Sequence, residues 1–406
     1  MAPSPRPHLR SSTAGVLCAA TALCLVGAAL TVPASARPVR PDTARRHSGS
    51  SVVTLARGVT LQHVDMRSDG RAEQVTLLGI DFKTPGVEVD ATSPDGVVGA
   101  DRATVKAQTN ARHAVAGVNA DFFNLNRSAA APRGTLVSSG QMLKSPAAPR
   151  NANLVLRHTA KGEVASIGAL PFTGEVTRVR KNTRNRTRSL TTTNSLVSAR
   201  AGGLVLLTPA MAASDLRRSC RIATGTQSHG VWTVRSVGAT FTTPRLAANA
   251  FALLSCAGHG AHWIHATLRR GDTVRVSDAV TGGTPWAAVS GGSVLVRNGK
   301  AWSDPLGEHL PYPGRNAETF ACTGRSGHRL TLGTVDGYTW QSAGVTYSEL
   351  TSYLVSLGCW SGMVLDGGGS TTLVAKLPGT SKARIQNAPA TRPARPVADS
   401  LVVFGG

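Results

Sequence analysis

One stretch limits the fold more than any other: Met363-Val364-Leu365-Asp366-Gly367-Gly368-Gly369-Ser370-Thr371-Thr372-Leu373-Val374. Its apolar start, Met363 to Leu365, reads as a buried strand that delivers one carboxylate into three consecutive glycines and three hydroxyl residues. Glycine belongs where φ must be positive, or where another group approaches the backbone closely. Three glycines after a strand predict either a tight turn or a loop whose amides wrap a ligand, with Asp366 at its mouth. The rest of the chain must build walls around that loop.

The amino terminus reads as an export leader. Arg6 and Arg10 precede an apolar run from Gly15 to Val32, and Ala34-Ser35-Ala36 has the small-residue form of a cleavage site. This pattern predicts a signal peptide over 1–36, a secreted chain beginning at Arg37, and no membrane anchor after cleavage. No later run reaches the apolar length of a membrane span. Lys and Arg total 44 against 22 Asp and Glu, a formal charge of +22, of which the leader carries two arginines and no acid. Arginine far outnumbers lysine, and alanine and glycine abound, the coding bias of a GC-rich bacterial genome.

Such a charge favours anionic surroundings, and for an exported chain the extracellular or cell-wall glycans, phosphorylated ones included, are the natural partner. The densest basic run, Arg178 to Arg188, has no interleaved aromatic residue, so no specific nucleic-acid partner is expected. It reads as a solvated loop or as a patch for a polyanion. Cys18 and Cys24 leave with the leader, and Cys220, Cys256, Cys322 and Cys359 remain. Four cysteines in an oxidising compartment predict two disulfides. Their order suggests Cys220–Cys256 and Cys322–Cys359, with the other two pairings open. Cys256 followed by His259, His262 and His265 comes nearest to a metal spacing, but Cys256 is better used as a disulfide partner.

Residues 37–50 are rich in Pro, Arg, Ser and Thr and read as a disordered lead-in. Strand-length runs then recur at Ser51–Leu55, Glu73–Asp81 and Val87–Asp90, and at Ala114–Asn124 after a helix expected over Arg102–Ala111. A hairpin turning on Gly140, short strands at 153–156 and 163–167, and a strand-rich middle from Gly203 to Val280 follow. Thr346 with Glu349 three residues on forms a capping box for a helix that Gly358 ends. The expected class is α+β: a strand-rich mixed sheet core with a few packed helices, in a single large domain over 51–406.

Three strands end in polar groups: Val118 runs into Asn119 and Asp121, Val335 into Asp336, and Leu365 into Asp366. Strand ends of this kind line clefts. Asp121, Asp336 and Asp366 offer two schemes. Two of them act as acid and base at a glycosidic bond, or several hold a divalent cation such as calcium or magnesium. No motif for an organic cofactor is present.

These pieces resemble the phosphodiester glycosidase family. Asn119-Ala120-Asp121-Phe122-Phe123 corresponds to its N-G-x-F-F block, Ser290-Gly291-Gly292 to its internal glycine block, and Val335-Asp336-Gly337 to its V-D-G strand end. Leu365 to Thr372 corresponds to its closing signature, and Arg395 to Leu401 to its terminal strand. The motif-bearing part runs from about 112 to 404. The family's N-P-R-T-A block reads Asn316-Ala317-Glu318-Thr319-Phe320, so Glu318 stands where an arginine would grip phosphate and Arg315 lies beside it as a substitute.

The resemblance implies a secreted hydrolase acting on a sugar-1-phosphodiester or a related glycosidic linkage, with Asp366, Asp336 and Asp121 catalytic. Asn119, Arg315, Gly367, Gly368, Gly369, Ser370 and Thr371 would bind substrate. The other reading is a glycan-binding protein that keeps the scaffold without catalysis. Ser370 lacks the G-x-S-x-G elbow of a hydrolase nucleophile. Phe122 and Phe123 serve as core or as sugar platforms, and Glu349 as a helix cap.

Overall fold

The Val59–Ser68 strand opens with alternating burial, Val59 and Leu61 on the buried face and Thr60 and Gln62 half-buried on the other. The computed structural model describes residues 51–68, 70–147, 152–302 and 314–406. The leader and the lead-in over 37–50 lie outside the described residues. The fold is α+β and strand-rich, as the sequence predicts, with four sheets and short helices at Val105–Ala111, Leu196–Arg200, Gly258–Thr267 and Tyr347–Ser356. All described residues fall within one compact unit, 41–406.

Two sheets frame the closing signature. An eight-stranded antiparallel sheet places Arg71–Asp81, Arg329–Val335, Glu318–Thr323, Ser361–Val364 and Val294–Arg297 side by side. A five-stranded sheet carries Leu373–Ala375, Ala116–Asn119, Ser400–Phe404 and, at its edge, Glu88–Thr92. The chain leaves the first sheet at Leu365, whose N–H donates to the Thr319 carbonyl at 2.8 Å. It reaches the second at Asp366, whose N–H donates to the Ala120 carbonyl at 2.8 Å. Asp366 therefore stands at the crossing between sheets.

The first sheet buries both faces. Leu330, Leu332, Ala321, Met363 and Leu365 enter the largest core cluster on one side. Phe320, Cys322, Val335 and Val364 face a second cluster beneath the Tyr347–Ser356 helix. Phe320 meets Tyr353 edge-on, with ring centroids 6.3 Å apart. Truncating a fully buried phenylalanine of this kind costs about 3–5 kcal/mol. The helix starts as expected: the Thr346 hydroxyl accepts from the Glu349 N–H, while the Glu349 carboxylate accepts from the Thr346 N–H.

Both disulfides pair in sequence order, Cys220–Cys256 and Cys322–Cys359. The second ties the Glu318–Thr323 strand to the turn leading into Ser361–Val364, so the two strands that flank the site are pinned covalently. The histidine-bearing stretch after Cys256 is the Gly258–Thr267 helix. Its glycines and histidines conceal helical periodicity, and burial of Trp263 and Ile264 decides the conformation. The basic run is half strand rather than loop. Phe172–Val179 pairs with Arg186–Ser189, and Arg180 forks onto Asp272 at 2.5 and 3.0 Å.

Candidate active site

Strand alternation brings together two carboxyl groups that lie far apart in sequence. Glu318 shares a face with Phe320, and Asp366 shares one with Val364, and Phe320 and Val364 are cross-strand partners. Glu318 is thus buried beside the glycine loop: a Cβ added at Gly367 would lie 2.7 Å from its Oε2. The three glycines have separate reasons. Gly367 clears Glu318, Gly368 adopts φ +61°, and a Cβ at Gly369 would lie 2.2 Å from an Arg395 guanidinium nitrogen. Gly367→Ala should fold with a cost of about 1–3 kcal/mol, the range for overpacking. It should also lose most turnover by displacing Glu318, which chemical denaturation and a rate assay check together.

The electrostatics separate these carboxyls from ordinary ones. Burial pushes Asp366 up to about 7, opposed by a hydrogen bond from Ser370, assisted by the Asp121 charge, and opposed again by Arg395 and Arg133. Burial pushes Glu318 up to about 8, opposed by the Asn316 amide and assisted by Asp366. The Asn316 Nδ2 donates to Glu318 Oε1 at 2.9 Å and its Oδ1 accepts from the Tyr338 hydroxyl. Tyr347, on the first turn of the capped helix, is raised by burial and by the charges of Glu318 and Asp366, so its phenol stays protonated and able to donate. A protonated carboxyl near an ionised one supplies the separate acid and base that hydrolysis of an acetal uses.

Several predicted residues play other parts. Asp121 is 1% exposed; its oxygens accept from the N–H groups of Phe122 (2.8 Å) and Gly134 (2.5 Å). Its own N–H donates to Asp399 at 3.0 Å. Asp399, fully buried, is held well above the usual carboxylate range by burial and then by the Asp121 charge. Asp121 shapes the Arg133–Gly134 turn, and its charge is felt at Asp366. Asp336 turns the other way. Its carboxylate accepts from Ala388 N–H at 3.0 Å and the Asn387 amide at 3.1 Å, at the edge of a separate cavity with His63, Asp65 and Gln74. Alternation explains it: Val335 pairs with Glu318, so the next residue points to the opposite face.

Arg315 is not at Asp366. Its guanidinium donates to Glu73 at 3.1 Å, to the Gly344 carbonyl at 2.6 Å, and to Glu349. That pair of acids leaves it no fork for a phosphate. Glu349 serves as both helix cap and partner to Arg315. Asn119, fully buried, knits three segments: its amide donates to the Asp366 carbonyl at 2.6 Å and accepts from Thr319 at 2.8 Å and Thr372 at 3.0 Å. The Gly368 N–H is taken by the Ala317 carbonyl at 2.7 Å. Ser370 contacts Arg395 at 3.3 Å, and Thr371 is buried behind it. Phe123 is core, whereas Phe122 is half-buried near Gly292.

Among the described residues, Asp121, Asp336 and Asp366 do not form a group of side chains close enough to hold one metal ion. Glu318, Tyr347, Arg395, Arg133 and Asp399 are the members of the site that the sequence reading did not assign. The tight glycines were the available signal for Arg395, and Glu318 was visible only as a departure from a motif.

A cavity of about 470 Å³ has Arg127, Arg133, Lys144 and Arg200 in its lining and no acid, and the Arg133 charge acts on Asp366. Burial, then Arg127 and Arg217, lower the affinity of Arg200 for its proton, the mark of cations gathered without enough counter-charge. Lys144 is buried and donates to the carbonyls of Arg133 and Gly134 at 2.8 and 2.7 Å.

Residues 248–404 match the model of the phosphodiester glycosidase family. The resemblance drawn from the motifs is borne out over that stretch, which contains Glu318, Asp366 and Arg395. It supports a glycosidase-type function at the level of the family. No curated protein matches the chain in sequence. A Synechocystis protein described as hypothetical superposes with a TM-score of 0.71 at 17% identity, covering 89% of this chain; this chain spans 64% of that one. A Burkholderia pseudomallei protein described by its sequence as exported gives a TM-score of 0.66 at 22% identity, covering 82% of this chain and 74% of its own. The catalytic domain of zebrafish N-acetylglucosamine-1-phosphodiester alpha-N-acetylglucosaminidase gives 0.46 at 14% identity, with 90% and 87% covered. The first two likenesses show a shared fold. No helix among the described residues is long and apolar enough to cross a membrane.

Proposed function

We propose that the chain is a secreted hydrolase that cleaves a sugar-1-phosphodiester, or a closely related glycosidic linkage, in an anionic extracellular glycan. The observation that carries this reading is the pairing of buried Glu318 with half-buried Asp366 at the glycine loop, where desolvation pushes the first carboxyl to about 8 and the second to about 7. Glu318 in its protonated form is the group to protonate the leaving oxygen. Asp366 in its ionised form acts as the base or stabilises positive charge developing on the sugar. Tyr347 keeps its phenol proton under the charges of the same two carboxyls and is the neutral donor available to the substrate, and Ser370 with Arg395 orients Asp366. The cation-lined cavity next to Arg133 seats the anionic part of the substrate.

The test is sugar release from a panel of sugar-1-phosphodiesters and teichoic-acid fragments by the mature chain. Activity should follow a bell in pH. It rises as Asp366 ionises near 7 and falls as Glu318 loses its proton near 8. Each limb should change by about tenfold per pH unit. Glu318→Gln should remove the alkaline limb and most of the rate. A profile flat from pH 5 to 9 would refute the pair. A binding protein without turnover is the second reading, favoured by Glu318 at the family's usual arginine position; glycan retention with no release from any substrate would select it.

A further inference from the structure

A second cluster of ionisable groups lies outside the site described above and shares no residue with it. Glu88 sits on an edge strand of one five-stranded sheet, and Glu163 on an edge strand of the other. His158 is the cross-strand partner of Glu163 in its hairpin. The His158 Nε2 lies 3.2 Å from Glu88 Oε2 and 3.7 Å from Glu163 Oε2, and one ligand atom from each residue falls within 4.8 Å of the others. Tetrahedral ligands at the usual zinc distances stand about 3.4 Å apart, so the spacing already suits one ion.

Glu163 provides the independent reason to expect a ligand. Its side chain is 1% exposed; Oε2 accepts from the Val89 N–H at 3.2 Å, while Oε1 is buried with no hydrogen-bond partner. A buried carboxyl group left with one oxygen unpartnered is costly, and a cation bound to that group offsets the cost. Burial pushes this carboxyl up to about 9, and Glu88 is also raised, by burial first, with His158 opposing. The His158 ring is held by stacking on Trp286, with centroids 4.5 Å apart and planes 23° apart, which fixes the direction of its nitrogen. His158 and Glu88 remain 49% and 32% exposed, which leaves a path for an ion and a water as fourth ligand.

We propose that Glu88, His158 and Glu163 form a binding site for one divalent transition-metal ion of the zinc class, which joins the edge strands of two sheets. An imidazole nitrogen with two carboxylates selects such an ion over calcium or magnesium. The two sheet edges are already linked by the Val89–Glu163 hydrogen bond, and the ion would add a second link at the same place.

The experiment is a zinc titration of the chelator-treated mature chain by calorimetry, with thermal unfolding followed in parallel. One zinc per chain and a raised Tm are expected. Glu163→Gln keeps the shape and the Val89 bond while removing a charged ligand, and His158→Gln removes the nitrogen. Each should weaken zinc binding by at least tenfold, within the 10–100-fold range seen when even supporting groups are lost. Circular dichroism establishes that both variants fold. His262→Ala, on the Gly258–Thr267 helix, should bind zinc as the parent does. No zinc uptake by the parent, or equal uptake by parent and Glu163→Gln, would overturn the proposal. Loss of uptake in His262→Ala alone would do the same.

Discussion

Asp366→Asn should reduce sugar release by about 10³-fold or more, within the range for removal of a positioned acid–base group. Binding of the anionic glycan should change by no more than about twofold, because the cationic cavity is untouched. The substitution is nearly isosteric, and the backbone of residue 366 keeps its bonds to Ala120 and Asn119. The fold should therefore survive. Asp366 also raises Glu318, so its neutralisation should lower the alkaline limb of any residual activity. Turnover within threefold of the parent would remove Asp366 from the chemistry. Loss of both binding and turnover would make it a structural residue.

The second large effect is on stability. Arg315→Met should cost about 3–5 kcal/mol, the usual penalty for leaving one partner of a buried ion pair unpaired. Glu73 is fully buried and accepts from Arg315, from the Ser342 hydroxyl and from the Gly344 N–H, the last two at 2.8 Å. Without the guanidinium its charge has only dipoles for company. Arg315 also holds Glu349, and with it the first turn of the helix that carries Tyr347. Urea unfolding should show the loss, and adding Glu73→Gln should recover part of it. If Arg315 instead grips phosphate, Arg315→Met would raise KM and leave the urea midpoint unchanged. The two readings separate in one pair of measurements.

Much of the frame was legible in the order of residues. Period-two runs predicted the strands, Thr346 and Glu349 predicted a helix start that the structure contains, and four cysteines in sequence order pair as suggested. The glycine loop was legible too, although its cause was not. Gly367 and Gly369 are small because Glu318 and Arg395 crowd them, and neither neighbour is near in the chain. The Gly258–Thr267 helix was missed because its local pattern is poor and its stability comes from burying Trp263 and Ile264.

Features set by a few adjacent residues, such as caps, turns and strand alternation, follow from the chain's own steric and hydrogen-bonding rules, and so the sequence carries them. The site obeys a longer-range rule. Which aspartate faces Glu318 depends on the register between strands, and one residue of offset sends Asp336 to Asn387 while Asp366 meets the acid. Proton affinity depends on which groups exclude water and which charges come near. For Glu318 those are Asn316 close by and Asp366 across the sheet crossing, and only the tertiary structure brings the latter to it.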